Sequence, residues 1–245
     1  MIDWLDERSS PHFPATSRAL NEPDGLLAVG GGLTPVWLHT SYRQGIFPWP
    51  SDGLRLWWTP APRAVILAES FRIPRTIRKE LRKTPYRFTA NQAFKRVISS
   101  CAKTHDMAGG TWIEAEMLEQ YNRMAKAGFA LSVECWSPSG ELIGGFYGIR
   151  IGSAYFGESM FSLAAGASKQ AFAIAASQMF ANGIQIIDCQ MKTDHLDRFG
   201  LIELNRQDFE QHLHRATRTP LARPPLPAIL NHFPEPASTT RASGL

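Results

Sequence analysis

Residues 129–189 carry the pattern that most limits the fold. Phe129–Trp136 alternates apolar and polar positions, as a strand with one buried face does. A Ser-Pro-Ser-Gly turn at 137–140 leads into the apolar run Leu142–Ile151, and Gly152-Ser153 turns the chain again into Ala154–Glu158. Strands joined by turns this short pair antiparallel, so the segment predicts a meander. From Ala167 the spacing becomes helical up to Asn182-Gly183, after which Ile184–Cys189 reads as a further strand.

The chain is therefore α+β. A meander, a helix and another strand resemble the core of the GNAT (acyl-CoA N-acyltransferase-like) mixed-sheet fold. Upstream the organisation differs. Residues 1–62 are rich in Gly and Pro and hold only short elements. In Thr34–Gly45, Thr34 suits a helix cap, Pro35 the first helical position and Gly45 the stop, placing Trp37, Leu38, Ser41 and Tyr42 on one face. We place a domain boundary near residue 62, with a small N-terminal domain at 1–62 and a GNAT-like domain at 63–233. A further helix is expected from the Thr-Trp-Ile-Glu capping box at 111–114, with Met117, Leu118, Tyr121 and Met124 as its apolar stripe. The prolines from Pro220 onward argue against helix or sheet there, and residues 234–245 read as a disordered tail.

Charge is local rather than global. Residues 72–83 hold Arg72, Arg75, Arg78, Lys79, Arg82 and Lys83 against the single acid Glu80, so this stretch exceeds the whole chain's net +4. A helix here presents Arg75, Arg78, Lys79 and Arg82 outward, a face suited to a polyanion. An ordinary solvated helix face is the alternative. The three cysteines are an odd number without a Cys-x-x-Cys, which argues against a disulfide framework and a zinc site. No apolar run suits a signal peptide or a membrane span, so a cytoplasmic protein is expected.

Several motifs occur together. They are Glu-Pro-Asp-Gly-Leu-Leu-Ala-Val-Gly-Gly at 22–31, Tyr-Arg-Gln-Gly-Ile-Phe-Pro-Trp at 42–49, Trp57-Trp58, Pro62-Arg63 and Gly-Thr-Trp-Ile at 110–113. Further along come Gly-Gly-Phe-Tyr-Gly at 144–148, Phe-Gly-Glu-Ser-Met-Phe-Ser at 156–162, Ala-Ser-Lys at 167–169 and Ile-Asp-Cys-Gln at 187–190, then His195-Leu196 and Phe199-Gly200. In this order, over about residues 13–213, they resemble the leucyl/phenylalanyl-tRNA–protein transferases. The resemblance implies transfer of Leu, Phe and less readily Met from aminoacyl-tRNA to the α-amine of proteins beginning with Arg or Lys, creating an N-degron. It implies no metal or diffusible cofactor. We expect a monomer, since no exposed apolar stripe stands out.

The same resemblance assigns roles. Such a reaction exchanges an activated ester for an amide, so the protein must orient the amine, exclude water and move one proton. Asp188 and Gln190, two apart on a strand, would share a face, with Asp188 accepting a hydrogen bond or proton and Gln190 orienting the amine. A satisfied Asp–Gln pair at a strand end is the plain alternative. Glu158 would bind the cationic acceptor residue or align its amine; a surface acid is its alternative. Phe146, Phe156 and Met160 are aligned with the aminoacyl pocket, against simple core packing. Trp49 and Trp112 match positions that hold the terminal adenosine. Arg75, Arg78, Lys79, Arg82 and Lys83 would grip tRNA phosphates. His195 is given no catalytic role.

Two rivals remain. An acetyl-CoA-dependent N-acetyltransferase needs a pyrophosphate loop, and Leu163–Ser168 has its outline but lacks the expected Arg or Gln. A non-catalytic RNA-binding relative would explain the basic helix and tryptophans but has no need of Glu158, Asp188 and Gln190.

Overall fold

The computed structural model describes residues 2–51, 53–107 and 110–230. A four-stranded sheet is built from β1 (Asp3–Leu5), β2 (Leu26–Gly30), β3 (Phe47–Pro48) and β4 (Leu56–Trp58), in the order β1-β2-β4-β3. Helix α1 (Pro35–Tyr42) joins β2 to β3. It buries Trp37, Leu38, Ser41 and Tyr42, the face its sequence spacing predicts. Thr34 occupies the cap position, but its side chain makes no capping hydrogen bond.

From Arg63 the chain forms an eight-stranded sheet. Its strands are β5 (Arg63–Leu67), β6 (Arg87–Ala90), β7 (Ala130–Trp136), β8 (Leu142–Ile151), β9 (Ala154–Ser162), β10 (Ile186–Gln190), β11 (Ile202–Leu204) and β12 (Ile229–Leu230), ordered β11-β5-β10-β9-β8-β7-β6-β12. The meander β7-β8-β9 is antiparallel, and β10 returns parallel to β9, which makes the sheet mixed. The helices are α2 (Arg75–Leu81), α3 (Phe94–Met107), α4 (Ala115–Lys126), α5 (Ala167–Ala181), α6 (Asp194–Asp197) and α7 (Arg206–Arg218). This is an α+β, GNAT-like architecture.

Two hydrophobic clusters lie on the faces of the large sheet. One joins α2 and α5 to Phe146, Tyr155 and Ile187. The other joins α3, α4 and α7 to Tyr147, Phe156 and the core of the small sheet, including Trp37, Tyr42 and Trp57. Helix α5 is alanine-rich and packs close. A Cβ on Gly144 would come within 2.7 Å of the Ala167 Cβ, so β8 needs glycine there.

The structure differs from the sequence reading in three places. Strand β7 is buried along its whole length rather than on one face, because helices cover both sides. Its polar members survive this by pairing: Glu134 accepts from Thr89 Oγ1 (2.5 Å), Ser132 Oγ (2.6 Å) and the Ala93 N–H (3.2 Å). Helix α4 starts at Ala115 with Glu114 at the cap, so Thr111 does not cap it; the Thr111 hydroxyl accepts from the Ile113 N–H instead. The proline-rich stretch includes β12, an edge strand on β6. The expected tail at 234–245 lies outside the described residues.

Candidate active site

The site forms where β9 and β10 depart from regular geometry. Across β8 and β9, Tyr147 faces Ser159 while Gly148 faces Gly157, so Glu158 is the extra residue of a bulge. A bulge breaks the alternation of a strand. Phe156, before it, points to the face that carries Tyr42 and packs on that ring at 5.1 Å between centroids. Met160, after it, pairs across the strands with Phe146 on the face that carries α5. Unbroken alternation would put Phe156 and Met160 together. The bulge separates them, so Phe156 is core and not pocket lining.

Glu158 ends a hydrogen-bond chain. Tyr42 and Tyr121, from α1 and α4, have their hydroxyls 2.5 Å apart, and Tyr121 donates to Glu158 Oε2 at 2.9 Å. Gln190 Nε2 donates to Glu158 Oε1 at 3.3 Å. Burial pushes the Glu158 carboxyl up to about 7; Asp188 adds to this, while the two phenols and Arg63 oppose it. The phenols themselves are raised far above their usual range, by burial first and then by the neighbouring charge, so they remain donors.

Asp188 and Gln190 do not share a face in the simple manner expected. Strand β10 is irregular between them, and Gln190 adopts φ 63°, a left-handed conformation that ordinarily costs a non-glycine residue about 1–3 kcal/mol. Asp188 holds it there: Oδ1 accepts from the Gln190 N–H at 2.9 Å. The same carboxylate takes a bidentate pair of 2.8 Å bonds from Arg63 Nε and Nη2, and both side chains are inaccessible to solvent. Arg63 lies between the Phe47 and Phe209 rings, 4.8 Å from each. Asp188 is thus buried beneath the cavity, where it pairs with Arg63 and fixes the Gln190 backbone.

A cavity of about 600 Å³ opens over these groups. Phe146, Met160, Phe172 and Ile187 give it an apolar wall, and Glu158 and Gln190 line it as well. Trp49, 38% exposed in its proline-rich loop, and Trp112 line the same cavity. So does His105, whose Nε2 is 2.9 Å from Ser159 Oγ. His195 also lines it with Nε2 buried and unpartnered, and burial together with Lys169 and Arg198 lowers its pKa. Cys189 is no ready nucleophile, because burial and Asp188 raise its thiol. Among the described residues no group of His, Cys, Asp and Glu is placed to hold a metal ion, and no helix is long and apolar enough to cross a membrane.

Arg75, Arg78, Lys79, Arg82 and Lys83 are all exposed on and just after α2, and none forms an ion pair among the described residues. Helix α2 packs beside α5. At the start of α5 a Cβ on Gly166 would lie 3.1 Å from Glu80 Oε2. An acid there disfavours the pyrophosphate that an acetyl-CoA enzyme would seat on this helix end.

Sequence spacing alone does not bring Arg63, Tyr42 and Tyr121 to this site. Both tyrosines sit on apolar helical stripes and read as core. Arg63 gave one usable signal, a charged residue opening an otherwise apolar strand, Arg-Ala-Val-Ile-Leu.

Residues 65–214 match the family model described as leucyl/phenylalanyl-tRNA protein transferase, and residues 31–61 match the model of that transferase's N-terminal domain. Curated relatives carry the same description. One from Azoarcus sp. (strain BH72) is 49% identical over 218 residues, covering 89% of this chain and 92% of its own. Another, from Cellvibrio japonicus (strain Ueda107), is 43% identical over 222 residues, covering 90% and 93%. A third, from Anaeromyxobacter dehalogenans (strain 2CP-C), is 46% identical over 216 residues, covering 87% and 91%.

Proposed function

The chain belongs to the leucyl/phenylalanyl-tRNA–protein transferase family, and from that premise we propose that the cavity over Glu158 and Gln190 is where the aminoacyl ester meets the acceptor amine. The enzyme is an aminoacyltransferase that passes Leu or Phe from aminoacyl-tRNA to a protein N-terminus. The observation that carries the placement is one cavity lined by an apolar wall, two tryptophans and a carboxylate with a pKa near neutrality.

In this reading the donor's Leu, Phe or Met side chain lies against Phe146 and Met160, and the terminal adenosine stacks on Trp49 and Trp112. The exposed bases of α2 hold acceptor-stem phosphates. The acceptor amine nitrogen attacks the ester carbonyl carbon, the amide C–N bond forms, and the ester C–O bond to the ribose breaks. One proton leaves nitrogen and one joins the departing ribose oxygen. Glu158, with its pKa of about 7, is suited to take the first and return the second. Asp188 is unsuited, being held in a buried ion pair. Gln190, an amide, positions rather than accepts. Ionised Glu158 also favours acceptors that begin with Arg or Lys, and their modification yields an N-degron. We read residues 1–62 and 63–233 as two domains of a cytoplasmic monomer.

The test is transfer of labelled leucine from Leu-tRNA to peptides beginning with Arg, Lys or Ala, with an acetylated Arg peptide and acetyl-CoA as parallel arms. Transfer to the Arg and Lys peptides alone, abolished by acetylation, is expected. Acetylation of the peptide in place of leucylation would overturn the reading. Full activity in Glu158→Ala would move the chemistry elsewhere.

A further inference from the structure

The two phenols behind Glu158 belong to different parts of the fold. Tyr42 is the last residue of α1 in the small sheet's connection, and Tyr121 lies on α4. Each ring is clamped, Tyr42 on Phe156 at 5.1 Å and Tyr121 against Tyr147 at 5.6 Å. A buried phenol needs a partner for its O–H. Here the two are arranged in series: Tyr121 gives its one hydroxyl hydrogen to Glu158 Oε2, which leaves Tyr42 to donate to the Tyr121 oxygen. Donors that end on a carboxylate stabilise its ionised form and restrict its rotation.

We propose that Tyr42 and Tyr121 are positioning residues for Glu158, through which the N-terminal part of the chain aims this carboxylate and keeps it able to accept the amine proton. The proposal rests on the reading of Glu158 as the proton acceptor. It gives the small sheet and α1 a part in the chemistry beyond carrying Trp49. It also accounts for the buried position of Phe156, as the surface that seats Tyr42.

Other groups surround Glu158. Gln190 reaches it from β10 and Asp188 acts from beneath, opposed by Arg63 on β5. Tyr147 on β8 adjoins Tyr121, Tyr155 on β9 lies within electrostatic reach of Glu158, and from α3 Cys101 and His105 approach through Ser159. Tyr42 and Tyr121 are the members of this set with phenolic hydrogen atoms in line to the carboxylate, so removing either hydroxyl raises the pH at which Glu158 ionises.

The experiment uses the full chain as wild type, Tyr121→Phe and Tyr42→Phe, with two readouts. In protein labelled with carboxyl-13C glutamate, the signal missing from Glu158→Gln reports Glu158 directly. Its midpoint is expected to rise by about one pH unit in Tyr121→Phe, in line with loss of one charge-assisted hydrogen bond. Tyr42→Phe should move it in the same direction, and the double variant by less than the sum of the two. The acidic limb of leucine transfer to one fixed Arg peptide should move with it, while activity at high pH largely returns. Unchanged NMR midpoints in both variants would overturn the proposal, even with transfer impaired. Shifted midpoints without any change in the transfer profile would overturn the link to proton acceptance. Absence of transfer by the wild type at every pH would instead count against the proposed function and leave the NMR result to stand alone.

Discussion

Replacing Glu158 by Gln separates the part proposed for this carboxyl in the reaction from what it costs the fold. Its pKa stands at about 7 in place of the ordinary 4.5, chiefly because burial opposes the charge. At about 1.4 kcal/mol per pH unit, the ionised group destabilises the folded protein by about 3 kcal/mol, somewhat less where cavity solvent reaches it. The folded state binds the proton more tightly than the unfolded chain, so stability falls between about pH 4.5 and 7 and the loss is complete above that. Gln carries no charge at any pH, and its carbonyl can still accept from Tyr121. Glu158→Gln should therefore be the more stable protein at pH 8, with a Tm about 5–10 °C higher for a chain of this size. Near pH 4 the difference should vanish. Transfer should fall about 10²–10⁴-fold, as expected for loss of a general base. Thermal unfolding at pH 4, 6 and 8 beside transfer kinetics at pH 8 checks both halves. A variant equally stabilised at all three values, or destabilised at pH 8, would refute the argument from burial.

Asp188→Ala leaves the buried Arg63 guanidinium unpaired and should cost about 3–5 kcal/mol in urea unfolding; Arg63→Met combined with Asp188→Leu should recover most of that stability without restoring transfer, since the anchor of Gln190 is still gone. Gln190→Gly relaxes the left-handed backbone at φ 63° and should be neutral or stabilising by about 1 kcal/mol, yet transfer should drop, which stopped-flow and unfolding measurements separate. Phe146→Leu thins the apolar wall and enlarges the cavity, and should raise the ratio of Phe to Leu transfer about tenfold, whereas Phe156→Leu should lower stability and leave that ratio unchanged. Removing Arg78 and Lys79 as alanines should weaken tRNA binding and flatten its salt dependence by about two phosphate contacts, leaving a minimal aminoacyl-adenosine donor unaffected.

The parts of the fold legible in the sequence were those governed by local spacing. The meander, α1 and α5 follow from turns together with period-2 or helical patterning, and each lies within a few residues of where that spacing predicts it. Short strands are not legible, and the longer helices α3 and α7 carry an amphipathic spacing that the sequence reading leaves unused. The two-residue strands β3 and β12 lie in proline-rich segments and exist only because a partner strand supplies their hydrogen bonds. The capping box at Thr111 failed for a related reason: the Thr-x-x-Glu spacing is correct, but the helix begins four residues later.

The site divides along the same line. Glu158, Gln190, Trp49 and Trp112, which sit in the distinctive motifs behind the family resemblance, all line the cavity. Phe156 was misplaced because a bulge at its neighbour inverts which side chains share a face, and one inserted residue leaves no mark on composition. Arg63, Tyr42 and Tyr121 were hidden more deeply. Each reaches the site from a different element, so only the tertiary fold brings them together. Their burial is itself informative. An arginine and two tyrosines are taken wholly out of water, and the polar ends of all three lead to Asp188 or Glu158. Asp188 shapes the backbone that presents Gln190, and Gln190 and Tyr121 meet at Glu158. The cavity-facing amide and carboxylate are thus held from below by Arg63 and from the N-terminal side by Tyr42. Repacking either support should disturb transfer before it disturbs the fold.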